Sequence, residues 1–187
     1  MRLFVAVAPP PELLDRVARE VERKRSALPR ARWVRREHLH LTLAFLGEVD
    51  AARIDALASA LSARVGERRR VQARLAGAGA FPAWGPARVV WAGFEPEAEL
   101  VELAAAVRRA VGEAGLECDE KPFRAHLTLA RCPERWPPET RAALPDLLAE
   151  VGRSEFEVDR VVLIESVLGP DGPTYTTRAE APLAVAT

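Results

Sequence analysis

Apolar positions along this chain follow two rhythms, every second residue and roughly every 3.6 residues, and the order of these rhythms repeats. RLFVAVA at 2–8 is short, apolar and partly β-branched, and it runs into Pro9, Pro10 and Pro11, which predicts a strand with a hard stop. Leu13, Leu14, Val17 and Val21 then share one helical face, with Asp, Arg and Glu opposite. The segment RARWVRREHLHLTLAFLG leads into a second strand, which Gly47 ends. ARVVWAGF at 87–94 again predicts a strand, and from Pro96 the residues Leu100, Leu103, Val107 and Val111 keep helical spacing up to Gly115. PFRAHLTLAR at 122–131 closes the second round. Strand, proline, amphipathic helix, strand: the unit occurs twice.

Each unit is followed by material that can complete a lobe. Asp50 predicts the cap of a helix bearing Ile54, Leu57, Leu61 and Val65, and VQARLAGAGAF from Val71 alternates like a half-exposed strand. After the second unit come a helical stretch at 142–151 broken by Pro145, then strands at 156–165 and 174–183. The duplication predicts an α+β fold: two lobes related by a pseudo-twofold axis, with antiparallel sheets lining a central cleft and helices outside. No long linker separates them, so residues 1–187 are expected to form a single bilobal domain.

Composition narrows the partners. The 27 basic and 27 acidic side chains cancel, which removes a global field for long nucleic acids and leaves local recognition. No run approaches the roughly 20 apolar residues needed to span a bilayer, and the apolar N-terminal run is too short for a signal peptide, so a cytoplasmic protein is expected. Cys118 and Cys132 lack metal-type spacing. Basic charge is carried by 25 Arg and only 2 Lys, with no Asn and a single Gln, a bias that fits either a GC-rich genome or selection against heat-labile amides.

Chemistry concentrates in one repeated pentapeptide. HLTLA occurs at His40–Ala44 and His126–Ala130 in a chain with three histidines. Strand alternation puts His40 with Thr42, and His126 with Thr128, on one face, while Leu41, Leu43, Leu127 and Leu129 go to the other. One copy is an ordinary amphipathic strand. Two copies at matching places in two similar units need another explanation, because packing asks for alternation and not for the same polar residues. Paired imidazoles can act as general base and general acid, and paired hydroxyls can donate to the non-bridging oxygens of a phosphate. That set suits in-line displacement at phosphorus without a metal. A zinc hydrolase using His38, His40 and His126 is the rival enzyme class, and a non-catalytic RNA-end binding module is the rival outside enzymes. Trp33, Trp84, Trp91, Trp136 and Phe45 are expected mostly in the core, and Arg68–Arg70 on a solvated surface.

With RLFVAVAPP, RWV, HLHLTLAFLGEV, GAFPAWGPARVVWAG, KPFRAHLTLAR and VVLIESVLGPDGPTY in place, nearly the whole chain resembles the two-histidine (2H) phosphoesterases, and among them the RNA 2′,3′-cyclic phosphodiesterases also described as 2′-5′ RNA ligases. The resemblance implies hydrolysis of RNA 2′,3′-cyclic phosphate ends to 2′-phosphate ends, with reverse 2′-5′ ligation and no cofactor. Another small cyclic phosphate nucleotide is the alternative substrate. The implied partner is RNA with a terminal cyclic phosphate, tRNA-like fragments among the candidates, with no membrane and no obligate protein partner. The resemblance makes His40 and His126 catalytic, with His40 favoured as acid and His126 as base, though the two are interchangeable on sequence. It makes Thr42 and Thr128 phosphate-binding, and puts Arg131 and Tyr175 near the phosphate or nucleotide. Strict alternation would turn Arg131 away from His126, so its role requires a bend in the strand. Two positions depart from the family pattern: His38 stands where a small polar amide is usual, and Ala125 where proline is common.

Overall fold

A computed structural model describes residues 1–119, 121–170 and 172–185. The elements are β1 (Arg2–Val7), α1 (Pro11–Lys24), β2 (Arg32–Trp33), β3 (Leu41–Glu48), α2 (Ile54–Gly66), β4 (Val71–Phe81), β5 (Ala87–Glu95), α3 (Glu97–Glu113), β6 (His126–Trp136), α4 (Leu144–Leu147), β7 (Glu155–Val158), β8 (Arg160–Gly169) and β9 (Gly172–Pro182). Local signals explain several boundaries. Pro11 opens α1 at a position where a missing N–H costs nothing. The Asp50 carboxylate accepts from the Ala52 N–H at 3.0 Å and so caps a 3-10 turn, Ala51–Arg53, that feeds α2. Gly115, at φ 69°, takes the left-handed conformation just after α3.

The strands form one antiparallel sheet in the order β7-β4-β5-β6-β3-β1-β8-β9, with β2 added alongside β6. The two expected lobes are its halves, β7-β4-β5-β6 and β3-β1-β8-β9, joined where Leu41 pairs with Leu127. The halves are assembled differently from the sequence expectation. Each repeat unit does not complete its own half: β4, which follows the first unit, pairs with β5, while β8, which follows the second, pairs with β1. The late strands therefore cross over, and each half depends on both repeats. The strand expected at 156–165 is also two, β7 and β8, in opposite halves of the sheet. The helical stretch near 142–151 shrinks to a 3-10 turn, Pro138–Ala143, and the single turn of α4.

Helices and sheet share one main core. Leu13, Leu14, Val17 and Val21 of α1 and Leu100, Leu103, Val107 and Val111 of α3 are buried there with Leu3, Val5, Val7, Leu41, Leu43, Leu127 and Leu129. The motif leucines are at most 1% exposed. Each such burial is worth about 1.5–3 kcal/mol, and slipping either strand by one residue would exchange these leucines for the histidines and threonines. Hydrophobic burial thus holds the register that aims the polar residues. On the opposite face a small second cluster, Phe4, Ala6, Val162 and Ile164, packs with Phe45 and Tyr175.

Candidate active site

The two HLTLA segments meet at the seam of the sheet. Because Leu41 and Leu127 are antiparallel partners, the register runs His40 towards Thr128 and Thr42 towards His126. The pseudo-twofold axis passes through this pair of leucines, so each imidazole has the other copy's hydroxyl across from it. All four polar residues are half-buried on the face opposite the core.

Each ring is fixed in the same way. His40 Nδ1 lies 2.7 Å from the His38 carbonyl oxygen, and His126 Nδ1 lies 2.7 Å from the Arg124 carbonyl oxygen. A carbonyl oxygen only accepts, so Nδ1 carries the proton and donates, and Nε2 of the neutral ring keeps its lone pair for a substrate. Phe4 stacks on His40 with centroids 4.7 Å apart, and Phe81 meets His126 edge-on at 5.1 Å. Tyr175 packs edge-on against His40 at 5.5 Å and lies tilted against His38 at 4.8 Å. Burial lowers the pKa of His40 to about 4, helped by positive charge from His38, His126 and Arg131 and opposed by the His38 carbonyl. Burial also lowers His126, with the Arg124 carbonyl opposing and Arg131 adding to the effect. Tyr175 is pushed up by burial.

Arg131 reaches this face through a bulge. Val90 of β5 pairs with Ala130 and Trp91 with Thr128, which leaves Leu129 as an extra residue in β6 and resets the alternation beyond it. β3 has the same device: Val5 pairs with Ala44 and Ala6 with Thr42, skipping Leu43. In both copies the residue after HLTLA, Phe45 or Arg131, is turned towards the cleft. The bend that strict alternation required is present, and twice.

A cavity of about 730 Å³ is lined by His38, His40, Thr42, Thr128, Arg131 and Tyr175, together with Phe4, Phe45, Arg2, Arg32 and Arg35. His126 lines a second hollow of about 390 Å³ with Phe81, Trp91 and Arg124. Five of the six expected site residues therefore share one cavity, and the sixth, His126, lines the second hollow, with Thr42 of the first cavity across the seam from it. Phe4, Phe81, Arg2, Arg32 and Arg35 are lining residues that the motifs did not single out. The alternation of RLFVAV did separate Phe4 from Leu3 and Val5, and Arg32 precedes the tryptophan of RWV. Among the tryptophans, Trp136 is core at 1% exposure, but Trp84 is 89% exposed, contrary to expectation, because it sits in the turn between β4 and β5. Arg68 and Arg70 are paired at the surface with Glu102 and Glu157. A zinc site needs His38, His40 and His126 to converge, and among the described residues no three His, Cys, Asp or Glu side chains gather in that way.

Two strand-borne imidazole and hydroxyl pairs, related by a pseudo-twofold axis on one face of the sheet, define a two-histidine phosphoesterase. The chain belongs to the 2′-5′ RNA ligase superfamily, whose sequence pattern matches residues 9–170. It is 35% identical over 175 residues to an RNA 2′,3′-cyclic phosphodiesterase of Archaeoglobus fulgidus, covering 94% of this chain and 96% of the relative. It is 38% identical over 185 residues to the Thermus thermophilus protein of the same name, covering 94% and 87%. Among solved structures it resembles TT0787 of Thermus thermophilus over the whole of both chains, with a TM-score of 0.78 and 29% identity. It also resembles Escherichia coli LigT complexed with 3′-AMP over 97% of each chain, with a TM-score of 0.74 and 27% identity. No helix among the described residues is long and apolar enough to cross a membrane.

Proposed function

We propose that this chain hydrolyses the terminal 2′,3′-cyclic phosphate of RNA to a 2′-phosphate by acid–base catalysis without a metal. The observation that carries the proposal is the seam at Leu41 and Leu127, which sets each motif histidine across from the other motif's threonine. The names of the relatives supply the substrate class.

In the proposed reaction His126 Nε2 takes a proton from water as its oxygen attacks phosphorus. The P–O3′ bond breaks on the opposite side, and His40, as imidazolium, gives its Nε2 proton to the departing 3′-oxygen. The Thr42 and Thr128 hydroxyls donate to the non-bridging oxygens, where charge builds in the transition state. The anionic phosphate raises the pKa of both rings when it binds, which supplies the imidazolium that burial disfavours. Depression by burial also makes His40, once protonated, a stronger acid than an ordinary imidazolium, which suits it to the leaving oxygen. With a 5′-hydroxyl in place of water the same steps form a 2′-5′ diester and free the 3′-hydroxyl, so ligation is the same chemistry run on an alcohol.

The test is turnover of a cyclic-phosphate oligonucleotide in the presence of chelator, with the product identified. A 2′-phosphate end formed at an undiminished rate is expected. Loss of turnover that zinc restores would favour the metal hydrolase instead, and tight binding without turnover would favour the RNA-end binding module. Preference for a small cyclic nucleotide over the oligonucleotide would move the substrate to that class.

A further inference from the structure

Charge is unevenly placed in this net-neutral chain. Several arginines outside the cavity of His40 have carboxylate partners, such as Arg36 with Asp15, Arg70 with Glu157, Arg74 with Glu95, and Arg160 with Asp159 and Glu180. In the cavity itself the lining charge has one sign. Arg2, Arg32, Arg35 and Arg131 all line it, and no Asp or Glu does among the described residues. None of the four has a carboxylate partner among those residues either. Arg2 is held over the Phe45 ring at 5.0 Å, and the other three guanidinium groups make no side-chain hydrogen bond within the described chain.

Two of them are forced together by the backbone. Arg32 of β2 is the direct antiparallel partner of Arg131 in β6. Residues so paired project to the same face with Cβ atoms about 4.5–5.5 Å apart, and like charges in that position destabilise a sheet. The bulge at Leu129 sets the direction of Arg131, and β2 is only two residues long, so the pairing is a local arrangement with a cost that no neighbouring carboxylate offsets. An anion between or beside the guanidinium groups would remove the cost. Arg35 continues the row at the start of the 3-10 turn, Arg36–His38, that leads to His40. The row therefore begins at β6, just past the bulge, and ends at the turn that precedes His40 in the chain.

We infer that Arg32 and Arg35, next to Arg131, form a second anion subsite that takes the phosphodiester preceding the terminal nucleotide of an RNA chain. This rests on the proposed function only for where the terminal phosphate lies. A chain whose last phosphate sits between His40 and His126 carries its preceding phosphate one ribose away, on the 5′ oxygen of the terminal nucleotide. A cavity of about 730 Å³ has room for both. Arginine suits the task, since its fork binds phosphate oxygens through two charge-assisted hydrogen bonds. The subsite makes the protein a reader of RNA ends and not of isolated cyclic nucleotides.

Binding is measured in place of turnover, so that the subsite is judged separately from the hydrolase proposal. Two dinucleotides ending in a 2′-phosphate are titrated calorimetrically into the full chain: one has an ordinary internal phosphodiester and the other an uncharged methylphosphonate. Loss of a charge-assisted contact predicts about tenfold weaker binding of the neutral linkage. In Arg32→Ala and Arg35→Ala, checked as folded by circular dichroism, the difference between the two ligands should fall to about twofold or less, while in Arg69→Ala, a substitution outside the cavity, it should persist. Equal binding of both ligands by the wild-type chain overturns the subsite alone, as does full discrimination by the Arg32 and Arg35 variants. Failure of both ligands to bind at all overturns the subsite and counts against the proposed function as well.

Discussion

At the scale of single residues, the two histidines are alike in anchoring and unlike in burial, and both facts have measurable consequences. Under the proposed mechanism, replacing His40 or His126 with Ala should lower turnover about 100-fold or more, since each would remove a proton-transfer partner. His38→Ala should cost far less, because His38 serves His40 through its backbone carbonyl, which the substitution retains. Steady-state assays of the three folded variants check this, and a severe loss at His38 would speak for zinc. Burial holds both rings below the ordinary value of 6.5 in the free protein. The optimum of kcat/KM, which reports the free enzyme, should therefore lie on the acid side of 6.5, and that of kcat should lie higher because bound phosphate favours imidazolium. Stability should respond in a defined direction too. Between the unfolded value of 6.5 and the folded value of about 4, the unfolded chain binds a proton at residue 40 that the folded chain refuses. Stability thus rises with pH through that window and is lost on acidification, and His40→Gln should flatten the slope in thermal melts taken across it.

At the scale of elements, the sheet carries a close fit that the repeat pattern does not announce. Gly79 of β4 and Gly93 of β5 lie against the indole of Trp91, and a Cβ built on Gly79 would stand 2.5 Å from Trp91 Cζ2. Trp91 in turn stacks obliquely with Phe81, which meets His126. Gly79→Ala must displace the ring and should destabilise the fold by about 1–3 kcal/mol. Chemical denaturation measures it, and an unchanged midpoint would show that the ring relocates freely. The paired bulges at Leu43 and Leu129 belong to this scale as well. A bulge has no sequence signature in LTLAF or LTLAR, since the extra leucine and the alanine after it are both apolar and both bury. That is why the direction of Arg131 followed from neither alternation nor composition.

At the scale of the whole molecule, zero net charge and a concentrated basic cavity make a specific expectation for salt. If the terminal phosphate and one or two neighbours are the contacts, two or three in all, then a single-stranded ligand gives a log–log slope of binding against salt of roughly −1.5 to −2. A slope implying about six or more contacts would mean an extended RNA path over the surface. The crossover of β4 and β8 also ties the halves together, because β1 and β5 each take a neighbour from the other end of the duplication.

The sequence by itself determined what is periodic or repeated: the helix and strands of each unit, the leucines that face inward, and the His–Thr pairs that face outward. These are legible because a strand of period two and a helix of period 3.6 need only neighbouring residues to specify which side is apolar. Tertiary structure alone decided which strands became neighbours across the chain, since hydrogen bonds between backbones carry no residue code: the crossover of β4 and β8, and the seam at Leu41 and Leu127. It also decided how far side chains turn at a bulge, which brings Arg131 opposite Arg32. The depressed pKa of His40 belongs to the same category, because desolvation depends on Phe4 and Tyr175 arriving from β1 and β9, strands that lie far apart in sequence and meet only when the sheet is complete.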